Sequence, residues 1–274
     1  MTVAVVVKVH DGIVLAADSA LTYPETGQVY NNADKIFHLH RQLPLAAMTF
    51  GVGQIDDMSV GGLIKDFRLR LMGKDPAYGE WELEPTTYDV EGASRRVVGA
   101  LHELMARSEM DFAENPLGIV FAGFSATQAK GEAWGAIVTG NGDEPELSPV
   151  AGPSTVGWLA FAQQDATQRL FRGYDDRLYR EILEAVPEES REAIEKIFAQ
   201  QVVWPLASAM PFADAIQLAK FLVEVTSGYA HFIPGPDTVG GDIDVAGISR
   251  HEGFKWVSRK HYYDLRLNPG EVTR

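Results

Sequence analysis

The order of apolar and polar positions at the start of the chain predicts a β-hairpin. An apolar run over Val3–Val9 is followed by the pair Asp11–Gly12 and by a second apolar run over Ile13–Ala17. An Asp-Gly pair between two such runs is a strong hairpin signal. Since the runs are continuous rather than alternating, we expect both faces of these strands to be buried. The hairpin would bring the carboxylate of Asp18 beside Thr2.

Beyond the hairpin, paired strands and blocks of helix follow one another. We predict strands over Lys35–His40, Pro44–Thr49, Leu117–Ser125, Glu132–Thr139, Asp242–Ser249 and Gly253–Ser258, and a loop over Tyr23–Asn32. We predict helices over Gln54–Leu71, from a cap at Thr86 or Thr87 to about Ser108, and over Val156–Arg172, Asp175–Gln200 (one helix, or two with Pro187 starting the second) and Pro211–Tyr229. Strand pairs joined by short turns imply two antiparallel sheets with helix layers outside, an α+β fold.

Composition excludes several classes of protein. The 274 residues are 46% apolar and 23% charged, which is typical of a globular protein, and no repeat or linker divides them. The net charge of −14 argues against a nucleic-acid partner. No apolar run approaches the ~20 residues of a membrane span, and the start of the chain lacks the features of a signal peptide. Without cysteine there is no thiol or disulfide chemistry. We expect a cytoplasmic protein.

Thr2 is a candidate nucleophile. Methionine aminopeptidases remove Met1 when the next residue is small, and threonine qualifies. Thr2 would then carry a hydroxyl and a free α-amine, whose unperturbed pKa of roughly 7.7–8.0 suits a base at neutral pH. The alternative is that Thr2 is only the first residue of an edge strand, and the dipeptide alone favours that interpretation.

Several segments together resemble a proteasome β-type subunit of the N-terminal-nucleophile hydrolases, in a bacterial proteasome-like branch. These segments are Thr2, the AADS sequence that ends the hairpin, NADKIF with Lys35, the AMTFGVG turn, and GGDIDVAGIS at Gly240–Ser249. The resemblance covers the beginning and the end of the chain. It implies one domain over residues 1–274, a four-layer αββα sandwich of two antiparallel sheets. The helical stretch around 172–210 would be an insertion.

The resemblance also implies roles for individual residues. Lys35 would lower the pKa of the Thr2 hydroxyl, and Asp18 would hold Lys35 charged and oriented. Without that function, the Lys35–Asp18 pair would be an ordinary surface ion pair. The remaining candidates are the N–H of Gly51 in an oxyanion hole (with Phe50 or Thr49 as alternatives), Asp237 and Thr238 as orienters of the amine, and Ser154 in a glycine-rich loop.

Substrate contacts follow from the same resemblance. Ala20 and Thr22 would bind a peptide as an added strand, and Met48 or Ala47 would line the pocket for the residue before the cut. We expect a threonine-type peptidase that acts on peptides or unfolded polypeptides in a homo-oligomeric ring or helical assembly, with or without an unfoldase. No cofactor is expected, since the glycine clusters match neither a P-loop nor a dinucleotide fingerprint. No metal is expected, since His38 and His40 lack a third ligand.

Two alternatives belong to other classes. The chain is an amidase of the same nucleophile type that acts on a small amide, if the long helical stretch walls the pocket. It is an inactive scaffold subunit if the GPDTVGG segment, which departs from the family pattern, leaves the threonine amine without an orienter.

Overall fold

A computed structural model describes residues 2–23, 27–142, 144–152, 155–207, 209–234 and 239–260. Its strands are β1 Val3–Lys8, β2 Gly12–Ala17, β3 Leu21–Tyr23, β4 Gln28–Tyr30, β5 Ile36–His38, β6 Leu45–Gly51, β7 Gln54–Ile55, β8 Met58–Ser59, β9 Leu117–Gly123, β10 Glu132–Val138, β11 Ser148–Ala151, β12 Gly157–Ala162, β13 Asp244–Ser249 and β14 Gly253–Ser258. Its α-helices are α1 Val60–Leu71, α2 Val90–Arg107, α3 Asp165–Arg172, α4 Asp176–Ala185, α5 Glu188–Gln201 and α6 Phe212–Phe232. A 3-10 turn covers Pro76–Trp81.

The first five-stranded sheet has the order β12-β1-β2-β13-β14, and its neighbouring strands are antiparallel. The predicted hairpin is confirmed as β1 and β2, whose register sets Ala4 opposite Ala17. Every residue of both strands is buried, as the continuous apolar runs predicted. The N–H of Asp18 donates to the carbonyl of Val3, so the end of the hairpin lies beside the start of the chain.

The second five-stranded sheet has the order β11-β10-β9-β6-β5 and is also antiparallel. The two sheets face each other across one apolar cluster that contains Val6 and Leu15 from the first sheet and Met48 and Val120 from the second. These residues alternate with neighbours that face helices, as side chains do along a strand.

Two further clusters join helices to the outer faces of the sheets. Leu63 and Phe67 of α1 and Leu101 of α2 pack with residues of the second sheet. Leu222 and Val223 of α6 pack with residues of the first sheet. The fold is therefore a mixture of helices and antiparallel sheets, as the strand and helix order predicted.

The main error of the sequence interpretation concerns Val156–Arg172, predicted as one helix. Its first part is strand β12, which pairs with β1 from Val3↔Ala162 to Lys8↔Gly157, and only α3 is helical. The apolar sequence GWLAFA fits a strand that completes the sheet beside β1, and a short apolar run does not distinguish strand from helix by itself.

Smaller corrections concern loops and helix starts. The loop predicted over Tyr23–Asn32 contains strand β4, which pairs with β3 in a small hairpin. The helix predicted from Gln54 begins at Val60, after the β7–β8 hairpin, because the Oγ of Ser59 caps it by accepting from the N–H of Gly62. Asp89 caps α2, rather than Thr86 or Thr87. The predicted break at Pro187 is present between α4 and α5.

Candidate active site

A buried contact between three side chains lies at the end of the hairpin. The Nζ of Lys35 is 2.8 Å from the Oγ1 of Thr2 and 2.6 Å from the Oδ1 of Asp18. Thr2 and Lys35 are each 5% exposed and Asp18 is 1% exposed. These are the three residues that the sequence singled out for the nucleophile and its immediate partners, and the fold brings them together.

Asp18 is held by donors on both of its oxygens. Its Oδ1 accepts from the N–H of Val3 at 3.1 Å and from Lys35. Its Oδ2 accepts from the N–H groups of Ala20 and Gly240, each at 3.1 Å. A buried carboxylate needs such compensation, and donors from separate chain segments leave it little freedom to turn. Asp18 is thus a fixed anchor for the ammonium of Lys35.

The backbone of Thr2 is held from the other side of β1. Its carbonyl accepts from the N–H of Gln163 at 3.1 Å, just after β12 ends. The neighbouring Ala162 adopts a φ of 65°, in the left-handed region that residues with a side chain rarely enter. Two strands therefore position Thr2: β2 presents the carboxylate of Asp18, and β12 ends in a turn that holds the carbonyl.

Lys35 immediately precedes β5, and its carbonyl accepts from the N–H of Thr49 in β6. Its side chain points into the interior beside Asp18. Burial lowers the pKa of Lys35 from its ordinary value of 10.5, although the charge of Asp18 and the hydrogen bond to it oppose this effect. The amine of Lys35 can therefore release its proton more readily than a lysine in water.

A cleft of about 290 Å³ opens beside Thr2 and Lys35. Its lining includes Leu21, the end of β6 from Thr49 to Gly51, and the first turn of α1, with Asp34 and Lys65 also on its wall. The Nζ of Lys65 is 2.8 Å from the Oδ2 of Asp34. The site is thus accessible to a ligand larger than water from one side.

Gly51 ends β6 in this cleft. Its φ of 88° favours glycine, and a Cβ there would lie 2.0 Å from the carbonyl oxygen of Pro116. Since N–H groups alternate in direction along a strand and that of Thr49 points to Lys35, the N–H of Gly51 points to the same side, away from β9. The N–H of Gly51 is therefore directed to the side of β6 on which Lys35 lies.

Comparison with known proteins concerns the fold. A solved structure similar to this chain is the Anbu (Gly-1) mutant from Hyphomicrobium sp. strain MC1. The two are 15% identical, the match covers 96% of this chain and 90% of that chain, and the TM-score is 0.56. The chain shares its fold with Anbu. No protein-family model and no curated protein matches it.

The residues predicted to bind substrate differ in position. Thr22 lies in β3 and is partly exposed. Ala20 is fully buried, and its N–H already donates to Asp18. Met48 is fully buried between the sheets and does not line the cleft, while the neighbouring Thr49 does. The reason is the alternation of side chains along β6, which turns Met48 toward the first sheet; Ala47 faces the helices and is buried.

Three predicted residues, Ser154, Asp237 and Thr238, lie outside the described residues. The described chain resumes at Val239. Gly240 donates to Asp18, and its carbonyl accepts from the N–H of Ser19 at 3.0 Å. Gly240 of the GGDIDVAGIS segment therefore contacts the site through its backbone.

The sequence interpretation missed a second buried ion pair behind the first. Lys260 contacts Asp244, and its Nζ lies 3.0 Å from the Oγ of Ser19. Nothing in the spacing of the sequence marks this pair, because Lys260 meets Ser19 across 241 positions of chain. The GGDIDVAGIS motif drew attention to the strand but not to a partner beyond β14.

The two histidines of the second sheet have local partners. The ring of His38 stacks on Phe254 with centroids 4.3 Å apart, and the Nδ1 of His40 accepts from the N–H groups of Gln42 and Leu43. In the part of the chain that the structure describes, no three His, Asp or Glu side chains are grouped as metal ligands. Over the same residues, no helix has the length and apolarity to cross a membrane.

Proposed function

We propose that this protein is a threonine-type peptidase whose nucleophile is the hydroxyl of Thr2 after removal of Met1. The observation that carries the proposal is the placement of the Lys35 ammonium 2.8 Å from Thr2 Oγ1 and 2.6 Å from Asp18, at the wall of an open cleft. A nucleophile, a cation that stabilises its ionised form and a residue that orients the cation are the parts that such catalysis needs.

The fold supports the same proposal. We interpret the two facing sheets, with α6 outside one and α1 and α2 outside the other, as a four-layer αββα sandwich over one domain. The chain shares its fold with the Anbu structure, and its sequence segments resemble a proteasome β-type subunit of a bacterial proteasome-like branch. The helices α4 and α5 would be an addition to that domain.

The first chemical step forms an acyl-enzyme. The neutral α-amine of Thr2 takes the hydroxyl proton through one water, and Oγ1 bonds to the substrate carbonyl carbon. The electron pair of the carbonyl moves to its oxygen, where the N–H of Gly51 and the positive charge of Lys35 stabilise it. The oxyanion then collapses, the C–N bond breaks, and the α-ammonium gives its proton to the leaving nitrogen.

The second step releases the acid. Water loses a proton to the α-amine and attacks the ester carbon, and the C–Oγ1 bond breaks as the proton passes to Oγ1. The hydroxyl and the neutral amine of Thr2 are restored. Lys35 stays protonated throughout, and Asp18 keeps it in place.

This division of roles sets the dependence of kcat/KM on pH. Activity should rise as the α-amine of Thr2 loses its proton, near its unperturbed pKa of roughly 7.7–8.0. Activity should fall again as Lys35 loses its charge. Since burial lowers the pKa of Lys35, that fall should begin below its ordinary value of 10.5.

The amidase alternative requires the helical stretch around 172–210 to wall the pocket. The observed cleft fits a peptide better. The described residues that line the cleft all belong to the segment from Thr2 to Lys65, so α4 and α5 do not wall it. An extended chain can lie beside the residues after Asp18, with Thr22 as a contact and Thr49 as part of the pocket wall. We further propose a homo-oligomeric ring or helical assembly in the cytoplasm.

Hydrolysis assays test the proposal. The purified chain is incubated with fluorogenic peptides, with an unfolded protein and with small amides, in parallel with Thr2→Ala and Thr2→Ser. We expect turnover of peptides by the wild type, partial turnover by Thr2→Ser and none by Thr2→Ala. Equal turnover by Thr2→Ala would overturn the assignment of the nucleophile. Turnover of small amides alone would identify an amidase, and a chain that has lost Met1 but cleaves nothing would identify a scaffold.

A further inference from the structure

A second lysine–aspartate pair lies directly behind the site and has no part in the proposed chemistry. Lys260 follows β14, and Asp244 begins β13. The Nζ of Lys260 contacts the Oδ2 of Asp244, and its backbone N–H donates to the Oδ1 at 3.0 Å. Both side chains are 3% exposed. The carboxylate therefore holds both the backbone and the ammonium of Lys260.

The same ammonium touches the neighbours of two site residues. It lies 3.0 Å from the Oγ of Ser19 and 3.9 Å from the Oδ1 of Asp34. Ser19 adjoins Asp18 in the chain, and Asp34 adjoins Lys35. One cation thus spans the two chain segments whose relative placement sets the distance between Lys35 and its carboxylate.

Ser19 connects these segments to the late glycine motif as well. Its N–H donates to the carbonyl of Gly240, its carbonyl accepts from the N–H of Ala33, and its Oγ donates to the carbonyl of Asp242 at 2.5 Å. The Nζ of Lys260 adds a further contact, to the Oγ of Ser19. Chain segments that are far apart in sequence therefore meet at one serine beside the site.

We propose that Lys260 and Asp244 form a positioning pair that fixes Asp18 and Lys35 relative to each other, and through them the contact of Lys35 with Thr2. The importance of this pair for catalysis rests on the proposed function. The effect of the pair on the titration of Lys35 does not rest on the proposed function, because that effect depends on position and charge alone.

Stability is a poor explanation for a buried pair at this place. Removing two charges from water is costly for each ion, and apolar residues of the same size often stabilise a fold as well or better. Reacting groups are more demanding, since a displacement of 1 Å can cost about 100-fold in rate. A rigid ionic contact to both flanking segments meets that demand.

The charges of the pair act on Lys35 in opposite directions. The charge of Lys260 lowers the pKa of Lys35, and the charge of Asp244 raises it. Loss of either charge alone should therefore shift the pKa of Lys35, upward without Lys260 and downward without Asp244. A pair that only fills space would not produce shifts of opposite sign. The charged groups that act on Lys35 are Asp18, Asp244 and Lys260. Asp34 lies next to them and pairs with Lys65 and Lys260.

Four variants separate the two interpretations: Lys260→Met, Asp244→Asn, the double variant, and Lys260→Arg, which keeps the charge. Lys196→Met, at an exposed pair on α5, is the matched control. For each variant, kcat and KM are measured against pH on a peptide substrate. Independently of turnover, the titration of Lys35 is followed by NMR in protein labelled with ¹³C-lysine, with Lys35→Arg used to assign the signal.

We expect kcat of Lys260→Met to fall about 10- to 100-fold with KM little changed, and Lys260→Arg to recover part of the loss. The Lys35 titration should move to higher pH in Lys260→Met, to lower pH in Asp244→Asn, and back toward the wild type in the double variant. Lys196→Met should match the wild type in both measurements.

A kcat of Lys260→Met equal to that of the wild type would overturn the proposal, and so would an unchanged Lys35 titration in both single variants. If the single variants fail to fold, the double variant, which leaves no unpaired charge, carries the test: kcat equal to that of the wild type would overturn it too. A wild type without peptidase activity would overturn the proposed function, and the NMR titration would still decide the effect of the pair on Lys35.

Discussion

The hairpin of β1 and β2 differs from the helices α4 and α5 in how far its residues are buried. Every residue of both strands is buried, whereas α4 and α5, all of whose residues the structure describes, contain no buried residue. The hairpin has apolar clusters on both of its faces. The helices contact each other through aromatic contacts among Tyr174, Tyr179 and Phe198, and each helix carries an exposed ion pair of its own.

The difference shows what burial does to a polar group. At the hairpin, a buried charge needs hydrogen-bonding or ionic partners to offset its removal from water. These partners fix the positions of Asp18 and Lys35. On α5, the pair of Lys196 and Glu192 is screened by water, and either member can be lost at little cost. Chemistry that needs a fixed geometry belongs in the first region, and substitutions matched between the two regions test this difference.

The largest contrast concerns activity. Lys35→Met should lower kcat/KM for a peptide on the order of 1,000-fold or more, because it removes the cation beside the nucleophile. Lys196→Met removes a lysine of the same length from α5 and should change kcat/KM by less than about twofold. Steady-state kinetics on both variants measure this contrast, and a loss of similar size at both positions would contradict it.

A smaller contrast concerns unpaired charge. Asp18→Ala leaves the ammonium of Lys35 buried without its carboxylate and removes the acceptor of three N–H groups, so the free energy of unfolding should fall by about 3–5 kcal/mol. Glu192→Ala should lower it by less than about 0.5 kcal/mol. Urea denaturation followed by circular dichroism measures both, with Asp18→Asn as a variant that keeps the shape. Equal stability of the two alanine variants would be inconsistent with a structural role of Asp18.

Apolar truncation gives the next contrast. Leu15 in β2 is fully buried between the sheets, whereas Leu178 in α4 is 44% exposed. Leu15→Ala should cost about 2–5 kcal/mol of unfolding free energy, because it leaves a cavity. Leu178→Ala should cost no more than about 0.5–1 kcal/mol. If the two cost the same in denaturation experiments, α4 is more tightly packed than its exposure indicates.

The smallest contrast depends on pH. Burial lowers the pKa of His38 from 6.5 to about 4, although its hydrogen bond to Leu43 opposes the shift. The unfolded chain therefore binds a proton at higher pH than the folded one, and stability is lost as pH falls from 6.5 to about 4. We expect this loss to be about 1–3 kcal/mol and to disappear in His38→Gln. The unfolding free energy measured across this window tests it, and an identical loss in His38→Gln would assign it to other groups.

Sequence patterns predicted the parts of the molecule that local rules control. The Asp-Gly turn between continuous apolar runs determined the first hairpin, and the hairpin determined that Asp18 meets the start of β1. The approach of Lys35 came instead from resemblance to a family, since no local rule brings a residue before β5 to the end of β2. In the structure Lys35 contacts both Thr2 and Asp18.

The features that the sequence could not predict depend on long-range pairing. The sequence of β12 fits the start of a helix as well as a strand. It forms a strand because it pairs with the edge of β1 that β2 leaves open. Met48 looked like a pocket residue because the choice between the two faces of β6 depends on which face the first sheet covers. No sequence pattern marks Lys260, because its partners lie on separate segments: Ser19 follows β2 and Asp244 begins β13.

The most direct test of the central claim is the intact mass of the purified protein before and after treatment with an epoxyketone, which bonds to both the hydroxyl and the amine of an N-terminal threonine. We predict a mass that lacks Met1 and gains one reagent per chain, with no gain in Thr2→Ala. A chain that lacks Met1 but gains no reagent, or that gains it equally in Thr2→Ala, would contradict the claim that Thr2 is the nucleophile.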